Sequence, residues 1–514
     1  MIITVNFLNN RSVLLTQYLV IYKAFLKKFQ FLLQYLKGLV IFIFMTTKLL
    51  QFVNQKREMP KKRGSSLRLK DFDEIYKNFN KLEAKKQAGR CSQCGVPFCQ
   101  VHCPLQNNIP DWLKLAAENR LEEAYEVAQS TNNFPEICGS ICPQDRLCEG
   151  NCVIEKGFES VTIGRVEKHI TDTAWKSGWI KPLIPPKEIN KSIGIIGSGP
   201  AGLAAAEQLR KKGYKVEIYD RYDRPGGLLI YGIPNFKLEK YAVQRRTKIL
   251  KESGIVFHNN FEVGKTKSFD FLKKKHDALL IATGVYKAKG LDFSEENLTG
   301  IVPALDFLIT NNKKGLGDNV PEFDNGKLNS INKNVVVIGG GDTAMDCVRT
   351  AVRQNAKSVT CLYRRNRENM PGSMREVFHA EEEGINFSWL SLPTKFKGVN
   401  SHLDIDVAEV ALGKPDSSGR MIPKILLNKT HTLKADLIIK ALGFNPENIP
   451  KMFNEPKLKV TNWGTLKIDH NTMMTSEAGV FAAGDIVRGA SLVVWAIKDG
   501  RDAAESIHKY LIKC

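Results

Sequence analysis

Two glycine-rich turns, each between an apolar strand and a helix, constrain the fold of this chain more than any other feature. The first is Gly197-x-Gly199-x-x-Gly202, and the second is Gly339-x-Gly341-x-x-Ala344. In such a unit the small residues allow a tight turn, close approach of the backbone to a pyrophosphate and close packing of helix on strand. The sequence therefore predicts an α/β fold with two Rossmann-like nucleotide-binding domains on parallel sheets.

The strands that follow the two turns end in opposite charges. YKVEIYD ends in Asp220, 18 residues after Gly202, where a carboxylate can accept hydrogen bonds from a ribose diol. SVTCLYRRNR instead brings Arg364 and Arg365 to the corresponding position, where arginines favour a 2′-phosphate. The second unit is therefore predicted to bind NADP(H), with an exposed basic strand end as the alternative interpretation.

Two further strand ends are typical of flavoproteins with two dinucleotide domains. ALLIATG ends in Thr283 and Gly284, and GVFAAGD ends in Gly484 and Asp485. An aspartate at a strand end can bind the ribityl or phosphate groups of a flavin. Because the second of these strands follows the second glycine turn, we expect an NADPH domain inserted in an FAD domain. The nucleotide contacts predicted from the four motifs are Gly197, Gly199, Pro200, Ala201, Gly202, Asp220, Thr283, Gly284, Gly339, Gly340, Gly341, Asp342, Thr343, Ala344, Arg364, Arg365, Gly484 and Asp485.

Cysteines are concentrated in one part of the chain, with eight of the eleven in two groups between residues 91 and 152. The groups read C-x2-C-x4-C-x3-C-P and C-x3-C-P-x4-C-x3-C. Eight thiolates match two [4Fe-4S] clusters, and Cys-Pro steps also occur in bacterial ferredoxins. Structural zinc, which favours paired C-x2-4-C spacing, is the alternative, and disulfides are disfavoured in a reducing compartment. The predicted ligands are Cys91, Cys94, Cys99, Cys103, Cys138, Cys142, Cys148 and Cys152.

A redox-active dithiol is a further alternative for a flavoprotein. It requires a pair of cysteines against the flavin, but Cys347 and Cys361 are 14 positions apart, in a predicted helix and a predicted strand. We interpret both as buried packing residues. Electrons that leave the flavin are therefore expected to pass to the iron–sulfur clusters.

The net charge of +21 is uneven, because residues 1–57 carry eight lysines or arginines and no acid. No basic run is interleaved with aromatic residues, so nucleic acid is not predicted as a partner. The longest charge-free apolar run, 38–47, is too short for a membrane span of about 20 residues, and an interfacial anchor is the alternative. We expect a cytoplasmic protein whose natural start is Met45, with 1–44 a dispensable or artefactual extension.

Several segments make the chain similar to one family. They are CSQCGVPFCQVHCPLQNNIPDWLKL, NNFPEICGSICPQDRLCEGNCVIE, YDRPGGLLIYGIPNFKLEK, GGGDTAMDCVRTA, YRRNRENMPGS, ADLIIKALGF and FAAGDIVRGASLVVWAIKDGRDAAE. In these segments the chain resembles the small (beta) subunits of bacterial NADPH-dependent glutamate synthase, from about residue 45 to the C-terminus. The resemblance implies an oxidoreductase subunit that passes electrons from NADPH through FAD and two [4Fe-4S] clusters to a large (alpha) subunit, which makes L-glutamate from L-glutamine and 2-oxoglutarate.

The resemblance also implies a hetero-oligomer and an α-helical iron–sulfur domain before the two nucleotide domains. Hydride passes between bound cofactors in this family, so no catalytic acid or base is expected. The expected divisions are an extension 1–44, an iron–sulfur domain 45–190, an FAD domain 191–330 and 466–514, and an NADPH domain 331–465. The family adds Gly226, Gly227 and Leu228 to the FAD contacts. A subunit of a bifurcating transhydrogenase or of a pyrimidine reductase is the alternative within this group.

A related enzyme, dihydropyrimidine dehydrogenase, takes the ligands of each cluster from both cysteine groups. By that pattern, one cluster would be held by Cys91, Cys94, Cys99 and Cys152. The other would be held by Cys103, Cys142, Cys148 and the non-cysteine ligand Glu167, with Cys138 left out. The alternative assigns four consecutive cysteines to each cluster and leaves Glu167 as a surface helix residue.

Overall fold

The computed structural model describes residues 23, 25–34, 49–291, 298–399, 402–416 and 419–513. The predicted start at Met45 lies outside the described residues, as does most of the predicted extension 1–44. Within that extension, residues 23 and 25–34 are helical and exposed. None of the helices in the described ranges is both long and apolar enough to cross a bilayer.

Short helices form the amino-terminal domain, after a 3-10 turn at Gln51–Val53. They are α1 (Ser65–Arg68), α2 (Lys81–Ala88), α3 (Phe98–Val101), α4 (Ile109–Ala117), α5 (Leu121–Thr131), α6 (Pro135–Ile141), α7 (Glu155–Phe158) and α8 (Ile163–Lys176). Apolar residues at roughly helical spacing across 109–129 predict helix throughout this range, which the structure divides between α4 and α5. Asn119, between them, adopts the left-handed conformation with φ 64°, which ends a helix and which asparagine tolerates better than most residues.

The remaining helices accompany the two nucleotide turns and the strands around them. They are α9 (Pro200–Lys211), α10 (Leu228–Tyr231), α11 (Lys240–Glu252), α12 (Phe269–Lys275), α13 (Ala304–Gly315), α14 (Pro321–Asp324), α15 (Asp342–Arg353), α16 (Met374–Glu382), α17 (Ile449–Met452), α18 (Asp485–Arg488) and α19 (Val493–Leu511). A second 3-10 turn lies at Arg367–Asn369. Helices α9 and α15 begin directly at the two glycine turns, as predicted.

The strands fall into two parallel sheets and two small antiparallel ones. They are β1 (Ser192–Ile196), β2 (Lys215–Tyr219), β3 (Val256–His258), β4 (Ala278–Ile281), β5 (Lys287–Ala288), β6 (Ile301–Pro303), β7 (Asn334–Ile338), β8 (Ser358–Tyr363), β9 (Asn386–Trp389), β10 (Ser391–Val399), β11 (His402–Pro415), β12 (Met421–Ala435), β13 (Leu437–Lys440), β14 (Phe444–Asn445) and β15 (Val480–Ala482). The parallel sheets have the orders β15-β4-β1-β2-β3 and β6-β13-β7-β8-β9. The antiparallel sheets are β10-β11-β12 and β14-β5.

The α/β fold with one nucleotide domain inserted in another is confirmed by this topology. Strand β15 returns to the first parallel sheet after the whole of the second sheet has been formed, and pairs with β4. Strands β1 and β7, which precede the glycine turns, lie near the centre of their sheets and are almost fully buried. Burial on both faces explains why both strands are continuous apolar runs.

Both domain boundaries lie earlier in the chain than predicted. Strand β6 pairs with β13 in the second sheet, so the second domain begins well before residue 331. The return to the first domain precedes residue 466, because Ile449 and Phe453 are buried in the core of the first domain. The chain crosses between the domains at β5 and β14, which pair with each other and carry no glycine motif that would mark the crossing.

A buried ion pair holds the amino-terminal domain against the first nucleotide domain. Arg246 of α11 donates to the Glu136 carboxylate of α6 through Nη2, 2.8 Å from both oxygens, and through Nε, 3.1 Å from Oε1. The side chains of Glu136 and Arg246 are 1% and 3% exposed. Trp175 of α8 donates its Nε1–H to the same carboxylate. Since both charges have left water, each depends on the other for stabilisation.

Replacing Arg246 with methionine should lower the free energy of unfolding by about 3–5 kcal/mol, because Glu136 is then left charged and unpaired in the interior. Adding Glu136→Gln to this variant should restore a large part of the loss. Urea unfolding followed by circular dichroism measures the effect. The control is Lys274→Met, which breaks the exposed pair of Lys274 with Asp270 and should change stability by less than about 1 kcal/mol. Equal losses in the two variants would contradict the assignment.

Candidate functional site

The first glycine turn forms one wall of a cavity of about 240 Å³. Gly197 has φ +105°, and a Cβ there would lie 2.4 Å from the Ala282 carbonyl oxygen. A Cβ on Gly202 would lie 2.0 Å from the Gly197 carbonyl oxygen. A Cβ on Gly199, in contrast, would meet no heavy atom within 4 Å. Two of the glycines thus permit close packing, and Gly199 leaves room for a ligand against the backbone.

Asp220 lies between this cavity and a smaller one that adjoins it. Its Oδ2 accepts hydrogen bonds from the backbone N–H of Ser198 (2.7 Å) and from the Ser198 hydroxyl (2.5 Å). Its Oδ1 accepts from the backbone N–H of Tyr222 (2.9 Å). The carboxylate therefore fixes the glycine turn, and it lines the space where a ribose would lie.

The smaller cavity combines aromatic rings with a paired cation. The Arg221 guanidinium lies 4.5 Å from the ring centroid of Tyr286 and pairs with Glu447 at 3.0 Å. Tyr222 and Val263 also line this smaller cavity. Flat rings next to a guanidinium suit the adenine end of a dinucleotide.

One polar side chain in the wall of the larger cavity lacks a hydrogen-bond partner. Thr283 Oγ1 is buried and has no hydrogen-bond partner within the described ranges, which is rare for an interior hydroxyl. Burial raises the pKa of Asp485 to about 7. The cavity wall also contains apolar Leu228 and Leu305. A ligand with hydroxyl groups and a flat apolar ring system, such as FAD, fits this set of donors and surfaces.

Most predicted flavin contacts line this larger cavity. They are Gly197, Gly199, Pro200, Ala201, Asp220, Gly227, Leu228, Thr283, Gly284, Gly484 and Asp485. Gly202 and Gly226 do not line it. Gly226 has φ +126°, and a Cβ there would lie 2.5 Å from the side chain of Ile230, so its role in the structure is packing.

The second glycine turn is built in the same way as the first. Gly339 has φ +146°, and a Cβ there would lie 2.3 Å from the Ala441 carbonyl oxygen. A Cβ on Gly340 would lie 2.3 Å from the ring of Tyr363, whereas a Cβ on Gly341 would have open space. Asp342 begins α15 and accepts the backbone N–H of Ser373 at 2.9 Å, and Ala344 is buried. The open side of Gly341 is therefore where a pyrophosphate would approach.

The two predicted phosphate-binding arginines differ in their surroundings. Arg364 is exposed at the end of β8. Arg365 is buried, and its Nε donates to the Met421 carbonyl oxygen at 2.6 Å. This bond anchors the start of β12. Arg364 is consequently the better candidate for a 2′-phosphate.

The two nucleotide turns face each other across the larger cavity. Thr343 and Asp346, both on α15 of the second domain, line the cavity of the first domain. Lys237 donates to Asp346 at 2.7 Å, and burial raises the pKa of Asp346 to about 6 despite this cation. The sequence analysis predicted Thr343 as a nucleotide contact but neither Asp346 nor Lys237. Asp346 lies three positions after Thr343 and hence on the same helix face, a usable signal, whereas Lys237 has no local signal.

One set of four cysteines surrounds a small cavity in the amino-terminal domain. The set is Cys91, Cys94, Cys99 and Cys152. Three members come from the first cysteine group and one from the end of the second. Consecutive assignment does not match this arrangement, whereas the pattern implied by the family resemblance does.

The other four cysteines surround a second cavity together with a carboxylate. They are Cys103, Cys138, Cys142 and Cys148. Glu167, in the same wall, is 6% exposed, so the alternative of a surface helix residue is wrong. Its Oε1 accepts hydrogen bonds from Asn107 (2.9 Å) and Asn132 (3.1 Å). Cys138 lies 3.7 Å from Asn132 Oδ1, so both fourth-ligand candidates of the sequence analysis lie at this cavity.

The buried thiols have little tendency to ionise unaided. Burial raises the pKa of Cys99 to about 12 and that of Cys103 to about 11, and burial also raises the pKa of Glu167 to about 8. Bound metal reverses this by stabilising the thiolate. Within the part of the chain that the structure describes, no three His, Cys, Asp or Glu side chains converge on a single-ion site. The thiols instead surround cavities, as the ligands of a multi-iron cluster do.

The first thiol cavity, the second thiol cavity and the larger nucleotide cavity follow one another in a row. Ile163 of α8 lines both thiol cavities. Val494 of α19 lines the second thiol cavity, and Ser491, Leu492 and Val493, just before it, line the larger nucleotide cavity. Each cavity therefore shares a lining side chain or a helix start with the next.

Two family models match the chain. Residues 68–179 match "Dihydropyrimidine dehydrogenase domain II, 4Fe-4S cluster". Residues 191–500 match "Pyridine nucleotide-disulphide oxidoreductase". The two matches cover the thiol-bearing helical domain and both nucleotide domains, respectively.

Similar proteins cover nearly the whole chain. The glutamate synthase [NADPH] small chain of Azospirillum brasilense is 61% identical over 464 residues, covering 90% of this chain and 96% of that protein. The corresponding Escherichia coli (strain K12) protein is 43% identical over 91% of this chain and 100% of its own length. Among solved structures, Mycobacterium tuberculosis FprA in complex with NADPH has a TM-score of 0.53 at 20% identity, over 63% of this chain and 85% of that chain. That likeness supports the two-domain nucleotide fold alone.

Proposed function

The chain belongs to the family of glutamate synthase [NADPH] small chains, and from that premise we propose that it is the electron-input subunit of a glutamate synthase. It oxidises NADPH and passes the electrons through FAD and two [4Fe-4S] clusters to a large subunit, which makes L-glutamate from L-glutamine and 2-oxoglutarate. The observation that carries the proposal is the row of three cavities, which joins the facing nucleotide turns to both thiol sets.

FAD, when bound, accepts a hydride and releases electrons singly, whereas nicotinamide exchanges hydride only. The chain's own residues have to orient the two nucleotides and exclude water. Thr343 brings the second glycine turn to the wall of the larger nucleotide cavity. The apolar side chains of Leu228, Leu305 and Leu308 in the same wall disfavour water there.

We propose that the two thiol sets are the cluster ligands. The first cluster would be held by Cys91, Cys94, Cys99 and Cys152. The second would be held by Cys103, Cys142, Cys148 and either Glu167 or Cys138, of which we favour Glu167 because two asparagines already orient its carboxylate. Such ligands need a reducing compartment, so we retain the cytoplasm as the proposed location, which cell fractionation can test.

Paired substitutions distinguish this assignment from four consecutive ligands. The double variant Cys91→Ser/Cys152→Ser should lose about half of the iron and sulfide, because both thiols serve one cluster. Cys91→Ser/Cys103→Ser should lose nearly all of it. Consecutive assignment expects the reverse, so that result would refute the proposal. Iron and acid-labile sulfide analysis measures the outcome, and Cys347→Ser, in the second nucleotide domain, is the control that should retain full iron.

The function itself is tested by anaerobic reduction and reconstitution. NADPH should bleach the flavin absorbance and the iron–sulfur absorbance of the purified chain, because hydride enters at the flavin and the clusters are next in the row. NADH should do so far less efficiently. Addition of a glutamate synthase large subunit should then give glutamate from glutamine and 2-oxoglutarate. A colourless chain, or reduction without any glutamate formation, would contradict the proposal.

Exposed apolar side chains lie at the first thiol cavity and beside it in the chain. Phe98 and Val153 line this cavity and are 48% and 53% exposed. Val96 and Val101, which flank the lining segment 97–99 in sequence, are 61% and 59% exposed. The first cluster is the end of the row farthest from the nucleotides. Its electrons must leave through this surface, and exposed apolar patches of this kind mark protein interfaces. We propose that the large subunit docks here.

Introducing charge into the patch should therefore weaken subunit association. Val96→Asp/Val101→Asp should reduce co-purification with the large subunit and lower glutamate formation by at least about tenfold, because charges at an interface core are costly. NADPH oxidation with ferricyanide should be unchanged. Trp463→Asp, at a position 85% exposed on another surface, is the matched control. An unchanged rate of glutamate formation in the double variant would contradict this docking surface.

A further inference from the structure

The loop between the second and third cysteines of the second group, 143–147, reaches the second nucleotide domain. Arg146 Nη1 donates to the Pro371 carbonyl oxygen at 2.6 Å. Arg146 Nη2 donates to Asp342 Oδ2 at 3.2 Å. A guanidinium from the iron–sulfur domain therefore lies against the first residue of α15, directly after the second glycine turn.

Neighbouring residues hold this loop in place. Asp145 accepts the Ser373 hydroxyl at 3.1 Å, and the Gln144 side-chain oxygen accepts Arg375 Nη1 at 2.9 Å. The Gln144 amide also donates to the carbonyl oxygens of Cys138 (3.2 Å) and Gly139 (3.1 Å). The position of Arg146 is thus fixed from both sides, by bonds that do not involve its own side chain.

The charge on Asp342 creates a need for a cation at this point. The N-terminus of α15 and the open face of Gly341 favour an anionic pyrophosphate, but the Asp342 carboxylate would repel one. Arg146 neutralises that carboxylate, and its guanidinium has further N–H donors that can bind phosphate oxygens in a bidentate manner.

The side chain of Arg146 is much more exposed than that of Arg246, which holds two domains together. Its side chain is 44% exposed, whereas that of Arg246, in the buried interdomain pair, is 3% exposed. An exposed ion pair contributes little to stability, so bracing is a weak reason for this contact. An accessible guanidinium beside a phosphate cradle is instead able to meet a ligand.

We propose that Arg146 binds the pyrophosphate of the nicotinamide dinucleotide, so that the iron–sulfur domain supplies part of the NADPH site. This inference rests on the proposed function and adds a residue from a second domain to it. The pyrophosphate is common to NADPH and NADH, so Arg146 contributes affinity for both. Arg364, at the far end of the adenosine, would contribute only where a 2′-phosphate is present.

Two fragments of the dinucleotide separate these roles in a binding experiment. ADP-ribose carries the pyrophosphate without the 2′-phosphate, and 2′-AMP carries the 2′-phosphate without the pyrophosphate. Isothermal titration of the purified holoprotein with each fragment is the measurement. Arg146→Ala should weaken ADP-ribose binding about tenfold or more, as expected for loss of a charged hydrogen bond, and should change 2′-AMP binding less than about twofold. Arg364→Ala should show the opposite pattern.

Kinetics and controls complete the test. Arg146→Ala should raise KM for NADPH and for NADH by similar factors, and Arg146→Lys should recover part of the loss, because a lysine retains the charge without the fork. Arg120→Ala, an exposed ion-paired arginine elsewhere on the same domain, is the matched control and should have no effect. Iron content and the melting temperature should stay at wild-type values in all variants.

If Arg146→Ala weakened the binding of ADP-ribose and of 2′-AMP equally, Arg146 would only hold the two domains together and would not be a phosphate ligand. That result would overturn the inference, and so would unchanged binding of ADP-ribose. These outcomes are distinct from failure of the proposed function. In that case NADPH would not reduce the wild-type chain at all, whatever the behaviour of the variants.

Discussion

Close packing of α19 on α9 is the constraint on which the arrangement of all three cavities depends. A Cβ on Gly500 of α19 would lie 2.2 Å from the Ala201 carbonyl oxygen of α9, so the two helix backbones are nearly in contact. Helix α9 starts at the first glycine turn, and the start of α19 closes the flavin cavity and contributes Val494 to the second thiol cavity. Arg501 of α19 also donates to Asn133 and to the Ser130 carbonyl oxygen of the amino-terminal domain. One helix thus fixes the separation between the larger nucleotide cavity and the second thiol cavity.

The second nucleotide domain is held by a separate set of contacts. The segment 62–76 of the amino-terminal domain, which includes α1, contacts α16 and the residue that follows it. Arg68 pairs with Glu383 at 3.1 Å, with both side chains essentially buried, and the Tyr76 hydroxyl lies 2.9 Å from His379 Nε2. Separating a buried ion pair costs about 3–5 kcal/mol. Large rotation of this domain is therefore opposed, and Thr343 is held where it lines the larger nucleotide cavity.

Local sequence patterns predicted the parts of the fold that depend on short-range geometry. The glycine turns, their strands and the strand ends at Gly284 and Asp485 lie where predicted, because each requires particular residues within one unit. The crossing strands β5 and β14 were missed, since two-residue strands have no period to detect. The break at Asn119 was missed because its neighbours continue the apolar spacing. Arg365 was assigned to a phosphate, but its burial depends on β12, which is distant in sequence.

The grouping of the thiols also depends on contacts between segments that are distant in sequence, which local patterns do not predict. Nothing in the spacing of Cys152 indicates that it joins Cys91 rather than Cys148; that expectation came from the family resemblance. In the structure, Cys152 and Cys91 line one cavity, and α8, a third element, contributes Ile163 to the lining of both thiol cavities. A pattern within one segment cannot encode which segments a third element brings together.

The helices around the thiols are too short to be stable by themselves. Helices α3 and α7 have four residues each and α6 has seven, whereas isolated helices of fewer than about 12 residues are marginal in water. Cys91 belongs to the core of this domain, and Cys99, Cys148 and Cys152 pack against it, so the proposed ligands are also part of what holds the helices together. Because each thiol set combines distant segments, cluster binding at these thiols would close long loops and add its own free energy to folding. The proposed ligand assignment therefore gives the clusters a second role, in the stability of the domain that would hold them.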